Sequence, residues 1–355
     1  MANELAYGFV GQEQLLGKRL TEVGTATVWD MIRESVNEHN RQIDALLGTV
    51  AQRTILHQER FRLPGSGTLQ PLDEYGVPRP VEPGAYFDVA YPIRGGGTAF
   101  GGNRVTNALM TVQEINALTL DAQRRDADWL RRQMLAAIFT NTTVSFDDPE
   151  FGSLTIQPLA NSDTVKYNKV GGATATDDHY LAQSSSIDDS HNPFDDIYDE
   201  LMEHPSNGNG PVVVYVPSNL KASVEALTAF TEVGDPDLRY GVNTTQIGAA
   251  FGRRFGDEVL GKVNKCWVVE WRALPDSYMI GIAEGAGPIL GMREYPAASL
   301  QGLFIENHSP DGNLQQTSMI RYAGFGVRNR IGALAYRIGN ASYAIPSGYT
   351  APLAV

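Results

Sequence analysis

Gly256-Asp257-Glu258-Val259-Leu260-Gly261-Lys262-Val263 is the stretch whose spacing comes nearest to a known chemistry. It keeps the glycine and lysine positions of a phosphate-cradling loop, but Val263 stands where a serine or threonine must meet Mg²⁺. Asp257 and Glu258 would put negative charge into the cradle, and no buried strand leads into it, so no phosphate site is assigned. His179 and His191 lie among six aspartates, the pairs Asp177-Asp178, Asp188-Asp189 and Asp195-Asp196. Imidazoles and carboxylates ligate metals, yet this spacing fits no zinc pattern, brings no cysteine and lacks the register of a calcium loop. A solvated acidic face is the default reading, and a site for cations or a basic partner is the alternative. His39, His57, His204 and His308 are scattered and read as surface or hairpin residues. The glycines from Gly95 to Gly102 have no dinucleotide-binding register and read as a flexible hinge. With no G-x-S-x-G elbow and no H-E-x-x-H, no catalytic residue, cofactor or metal is assigned, and the chain does not read as an enzyme.

The charge is unevenly placed. The 355 residues carry 28 basic and 41 acidic groups, net −13. Residues 1–140 are net −2 and residues 211–355 are neutral, whereas 141–210 set Lys166 and Lys169 against 13 acids, net −11. Such a balance offers no basic patch for a dedicated nucleic-acid binder. Cys266 is the single cysteine, so no disulfide framework exists. Met1–Leu20 lacks the basic start and apolar run of a signal peptide, and no apolar stretch reaches the roughly 18 residues of a membrane span. The expectation is a soluble protein made in a cytoplasm.

Periodicity then orders the elements. Thr25 or Thr27 can cap a helix through Val28, Trp29, Ile32, Val36, Ile43 and Leu47, with Gly48 as its stop. A hairpin follows, with strands at Thr54–Leu63 and Ala85–Ile93; Phe87, Val89, Tyr91 and Ile93 give the second an apolar face. Between them the tip Pro64–Gly84 holds Pro64, Pro71, Pro78, Pro80 and Pro83. Compact domains rarely keep a structureless loop of about 20 residues unless it works outside their own core, so the tip is expected to lie on another copy of the chain. Thr111-Val112-Gln113-Glu114 is a capping box that opens a helix to Thr140, about 30 residues and about 45 Å long. Beyond the acidic stretch, a helix at Pro193–Glu203, a buried strand Val212–Val216 and a helix Pro217–Phe230 are expected. Strands follow at Cys266–Trp271, Tyr278–Ile282, Leu303–Asn307, Met319–Val327 and Ile331–Ile338.

A long hairpin running straight into a long helix resembles the major capsid proteins of tailed phages, the α+β Hong Kong 97-type fold. The resemblance implies an N-terminal arm at 1–53, an E-loop hairpin at 54–108 and a P-domain spine helix with the acidic insertion at 109–210. An A-domain at 211–322 and returning P-domain strands at 323–355 complete it. It further implies self-assembly through hexamers and pentamers into an icosahedral head shell that encloses double-stranded DNA without sequence-specific binding. A scaffolding protein, a portal and a decoration or cement protein are the implied partners, the virion the location and the host cytoplasm the place of assembly. In the E-loop, Arg60, Arg62, Arg79 and Arg94 would pair with a neighbour's carboxylates, and Tyr75, Tyr86, Phe87 and Phe100 would bury on it. The acidic segment would project from the shell. Some members crosslink an E-loop lysine to a neighbour, but here no lysine occurs between Lys18 and Lys166, which excludes that bond. The short stretch before the hairpin implies a separate scaffolding protein and no maturation cleavage. An encapsulin-type shell with protein cargo, and a monomeric β-rich binding protein or enzyme, remain the alternatives.

Overall fold

Thr111 starts the longest helix, and its capping box forms as the sequence predicts. The Thr111 hydroxyl accepts the Glu114 amide at 3.3 Å, and the Glu114 carboxylate accepts the Thr111 amide at 2.8 Å. The helix runs through Val112–Phe139, 28 residues, about 42 Å at 1.5 Å per residue. It ends at Thr140, whose hydroxyl donates to the Ala136 carbonyl at 2.7 Å. In this computed structural model the described residues are 17–23, 25–48, 50–62, 72–77, 86–103, 109–208, 210–232, 258–308 and 314–353.

The last six residues of the spine helix, Met134–Phe139, are apolar and buried all round. Leu130, Met134, Leu135, Ala137, Ile138 and Phe139 share one core with residues of both large sheets. Its first half packs Val112, Ile115 and Ala122 against Val28, Ile32 and Val36 of the helix Thr25–Leu47. A buried charge network ties the two helices to a strand. Arg321 donates to both Asp126 oxygens at 2.7 and 2.9 Å and to Asn40 Oδ1 at 2.7 Å, while His39 Nε2 lies 2.9 Å from Asp126. His39 is therefore a packed, bonded residue and not a surface one.

One sheet has five strands: Ala51–Thr54, Leu290–Arg293, Leu314–Val327, Phe304–His308 and Arg94–Asn103. The expected hinge at Gly95–Gly102 is corrected here. These glycines lie in a strand whose ten residues, 94–103, pair antiparallel with 314–323. The absence of side chains explains the pairing: a Cβ on Gly95 would sit 2.7 Å from the Tyr322 ring, and one on Gly96 2.9 Å from Trp129. The glycines thus let the long strand and the spine helix close on them.

The other sheet has seven strands in the order Phe230–Glu232, Glu258–Val263, Cys266–Glu270, Val212–Val216, Tyr278–Ala283, Ala333–Ile338, Tyr180–Gln183. Side chains alternate between faces along each strand. Val213, Tyr215, Val269 and Ile280 face the spine-helix core, and Val212, Val214, Val216 and Met279 face the helices Pro193–Met202 and Ser218–Glu225. The expected Pro217–Phe230 helix stops early, because Thr228 gives its amide and hydroxyl to Asp189 at 2.8 and 2.6 Å; Phe230 then begins a strand. Glu258–Val263 is a strand paired with Cys266–Glu270, so Lys262 does not sit at a helix start as a phosphate loop would require.

The acid-rich segment is woven into the fold. Besides Tyr180–Gln183 and the Pro193–Met202 helix it forms a hairpin, Val144–Asp148 with Gly152–Ile156. Asp188, Asp189, Asp195, Asp196 and Asp199 stay exposed, but Asp148 and Asp177 are buried, so a wholly solvated insertion is corrected. The 322/323 position falls inside the continuous strand Leu314–Val327.

Candidate inter-subunit hairpin and the cluster beneath its base

The hairpin pairs Gln58–Arg62 with Tyr86–Ala90 in strict antiparallel register, from Gln58 opposite Ala90 to Arg62 opposite Tyr86. The first strand starts at Gln58 rather than Thr54, because Ala51–Thr54 pairs in parallel with Leu290–Arg293, and the second ends at Ala90 rather than Ile93. Arg60 stands opposite Asp88 and grips it with two bonds, 2.6 and 2.9 Å. That exposed hydrogen-bonded pair lowers the Asp88 carboxyl below its usual range. On the other face Phe61 and Phe87 stack at 5.5 Å, and the Arg328 guanidinium lies 5.7 Å over Phe61. Arg328 also donates to Glu59 at 3.1 Å. A groove of about 510 Å³, lined by Phe61, Phe87, Tyr167, Pro288, Arg328 and Ile331 among others, runs along this base. The base of the hairpin is thereby fastened to its own chain.

The tip is described at 72–77 only. There Asp73 Oδ1 accepts the amides of Tyr75 and Val77 at 2.9 and 2.8 Å, and Gly76 takes φ +75°, which closes the turn. Tyr75 is 89 % exposed and Tyr86 59 %, with Leu72 and Val77 also exposed, so several large apolar groups of the hairpin find no cover among the described residues. Arg94 stacks 4.9 Å over Phe146 of the same chain. Arg62 and Phe100 occupy ladder positions opposite Tyr86 and Thr317. The side chains of Arg62 and Phe100, and Arg79 altogether, lie outside the described residues.

Under the base lies a cluster that the sequence does not pair correctly. His179 Nε2 sits 3.2 Å from His204 Nε2, and Asp177 Oδ2 lies 2.7 Å from His204 Nε2 and 3.9 Å from His179 Nε2. Both histidines are fully buried. His191, the other histidine among the aspartates, is exposed and bonds Asp188 at 2.9 Å. His204 is placed by the helix before it. Asn192 caps that helix, Pro193 opens it, and Phe194, Ile197 and Leu201 bury. Asn207 then holds the following turn by donating to Leu201 O at 2.9 Å and Ile331 O at 2.7 Å. Lys169 pairs with Glu203 and lies 3.7 Å from Asp177. Burial pushes the His179 ring down to about 4. Burial, and then the neighbouring Asp177, push Glu200 up to about 8. Burial alone would raise Asp177, but its contact with His204 and donation from Glu200 hold it below the usual carboxylate range. Tyr167 meets the His204 ring edge-on at 6.1 Å, and Phe87 of the hairpin packs on the small core of Ala160 and Tyr167. The signal for His204 was in the sequence: it continues the 194, 197, 201 stripe at helical spacing.

No known family profile and no curated protein sequence matches the chain. Solved structures do match. A chain of Mycobacterium phage Patience superposes with a TM-score of 0.69 at 20 % identity, over 99 % of each chain. The mature capsid of bacteriophage PhiM1 gives a TM-score of 0.50 at 11 % identity, over 82 % of this chain and 86 % of that one. The capsid of the cyanophage P-SCSP1u gives 0.50 at 11 %, over 82 % and 87 %. The architecture is therefore the α+β, Hong Kong 97-type fold of tailed-phage capsid proteins. Among the described residues no helix is long and apolar enough to cross a membrane.

Proposed function

We propose that this chain is the major capsid protein of a tailed phage, and that its copies close into the icosahedral head shell around double-stranded DNA. The carrying observation is the fold match over 99 % of both chains. The hairpin supports it, because its base is fixed to the subunit while Tyr75 and Tyr86 stand uncovered, as an element that completes itself on a neighbour requires. On this reading residues 1–53 are the arm, 54–108 the E-loop, 109–210 the P-domain spine with its acid-rich segment, 211–322 the A-domain and 323–355 the returning strands. Rings of subunits form hexamers and pentamers, and heterologous contacts that close make the shell. Each contact can be weak because every subunit makes many. Of the expected contacts, Arg60, Arg62 and Arg79 would meet carboxylates of the adjacent subunit and Tyr75, Tyr86 and Phe100 would supply buried anchors, whereas Arg94 and Phe87 are already engaged within the chain by Phe146 and by Phe61 and Tyr167. A scaffolding protein, a portal and a decoration protein are the partners of such a shell. It assembles in the host cytoplasm, resides in the virion and carries out no catalysis.

The test compares the full chain with a variant lacking 64–84, each produced with the neighbouring genes of its source and viewed by negative-stain electron microscopy and sedimentation. Uniform shells from the full chain, with nucleic acid inside, and folded but unassembled subunits from the variant are expected. Monomers alone from the full chain would overturn the reading, and shells filled with protein cargo would replace it with an encapsulin.

A further inference from the structure

The two buried histidines pose a question of hydrogen atoms. His179 Nδ1 lies 2.6 Å from the Ala333 carbonyl, and His204 Nδ1 lies 3.1 Å from the Asn168 carbonyl. A carbonyl only accepts, so both Nδ1 atoms carry a proton, and each ring, when neutral, turns a bare Nε2 lone pair inward. Those lone pairs face each other across 3.2 Å. The third atom at this point, Asp177 Oδ2, is buried 2.7 Å from His204 Nε2, so with both rings neutral no hydrogen lies along that edge. Three electron-rich atoms therefore converge in a space closed to water, an arrangement that costs free energy unless something positive sits among them.

We propose that Asp177, His179 and His204 hold a divalent transition-metal ion, zinc by the chemistry of the donors, as a buried structural staple beneath the hairpin base. The three separations of 2.7, 3.2 and 3.9 Å bracket the ligand–ligand edge of about 3.3 Å expected for tetrahedral bonds of about 2.0–2.1 Å. Each imidazole is oriented by an Nδ1–H donated to a backbone carbonyl, the outer support typical of ligating histidines. Glu200 and Glu203 stand around Asp177, their carboxylate oxygens within 4.8 Å of its own and of each other, and one of them would have to swing toward the histidines to complete a four-coordinate shell. Lys169 cannot replace the ion, because it is engaged by Glu203 and lies 3.7 Å from Asp177 Oδ2. The ion would tie three separate segments: the loop that carries Asp177 and His179, the turn after the Pro193–Met202 helix, and the Ala333–Ile338 strand reached through the Ala333 carbonyl. Tyr167 and Phe87 connect that staple to the hairpin. The single alternative occupant is a proton, which would bridge one edge of the triangle and leave the third atom unsatisfied.

The test uses the full chain as unassembled subunits, stripped with a chelator and titrated with Co²⁺. One Co²⁺ per chain with the visible absorption of a four-coordinate ion is expected, displaced by Zn²⁺, together with a higher Tm for the metal-loaded form. His204→Ala and the near-isosteric Asp177→Asn should lose the absorption, whereas His191→Ala, altering the exposed histidine, should keep it. If His204→Ala does not fold, Asp177→Asn decides. No Co²⁺ uptake, or a Tm unchanged by chelator and Zn²⁺, would overturn the proposal in favour of the proton; equal loss in His191→Ala would place the ion elsewhere.

Discussion

The hairpin and the acid-rich segment look alike as sequence, both polar, turn-rich and interposed between regular elements, yet they end in opposite environments. The hairpin keeps its charge outside: Arg60 and Asp88 pair in solvent, and Tyr75 and Tyr86 have no cover. The acid-rich segment takes part of its charge inside, with Asp148 on Arg293 at 2.6 Å and Asp177 among the histidines. Composition alone does not place a charged segment. What decides is whether the chain supplies a buried counter-charge from elsewhere, and Arg293, more than a hundred residues downstream, does so for Asp148.

That contrast can be broken by removing one arginine from each region. Arg293→Ala leaves Asp148 buried without its partner and should cost about 3–5 kcal/mol in denaturant unfolding. Arg60→Ala, in a solvent-screened pair, should leave the unfolding midpoint unchanged and show its effect in assembly alone. Equal losses would mean that both segments are structural in the same sense.

Acid sharpens the contrast by a smaller effect. Burial would raise Asp148, but the amides of Glu150 and Phe151 and the Arg293 guanidinium hold its carboxyl below the usual range. A group whose folded value is depressed stabilises fully above its unfolded value, about 3.9 for aspartate, and that stability is lost as pH falls toward the folded value. Thermal unfolding followed from pH 6 to pH 3 should therefore fall less steeply in Asp148→Asn than in the parent chain, and Asp88→Asn should flatten it less, because its depressed carboxyl sits in a solvent-screened pair. A parent-like slope in Asp148→Asn would count against the buried pair as the source.

Local chemistry made much of the fold legible. The Thr111 capping box, the apolar run Val212–Val216 and the alternation of Phe87 and Val89 each specify an element from adjacent residues, and each formed. What the sequence hid depends on partners far away in the chain. Gly95–Gly102 has the composition of a hinge, and pairing with residues 314–323 makes it a strand. The Pro217 helix was cut short by a carboxylate from Asp189, which no local pattern shows. The approach of His204 to His179 is equally hidden, because the turn that carries it back is built by Asn207 and Ile331. The hairpin itself was recognisable from the alternation of its second strand.

Hydrogen–deuterium exchange on the same chain before and after assembly is the most direct measurement of the central claim, that the hairpin completes itself on a neighbouring subunit while the acid-rich segment is complete alone. Amides of Tyr86–Ala90 and of the turn 72–77 should gain strong protection on assembly, and those of Tyr180–Gln183 should be protected equally in both states. Hairpin exchange unchanged between free subunit and particle would contradict it.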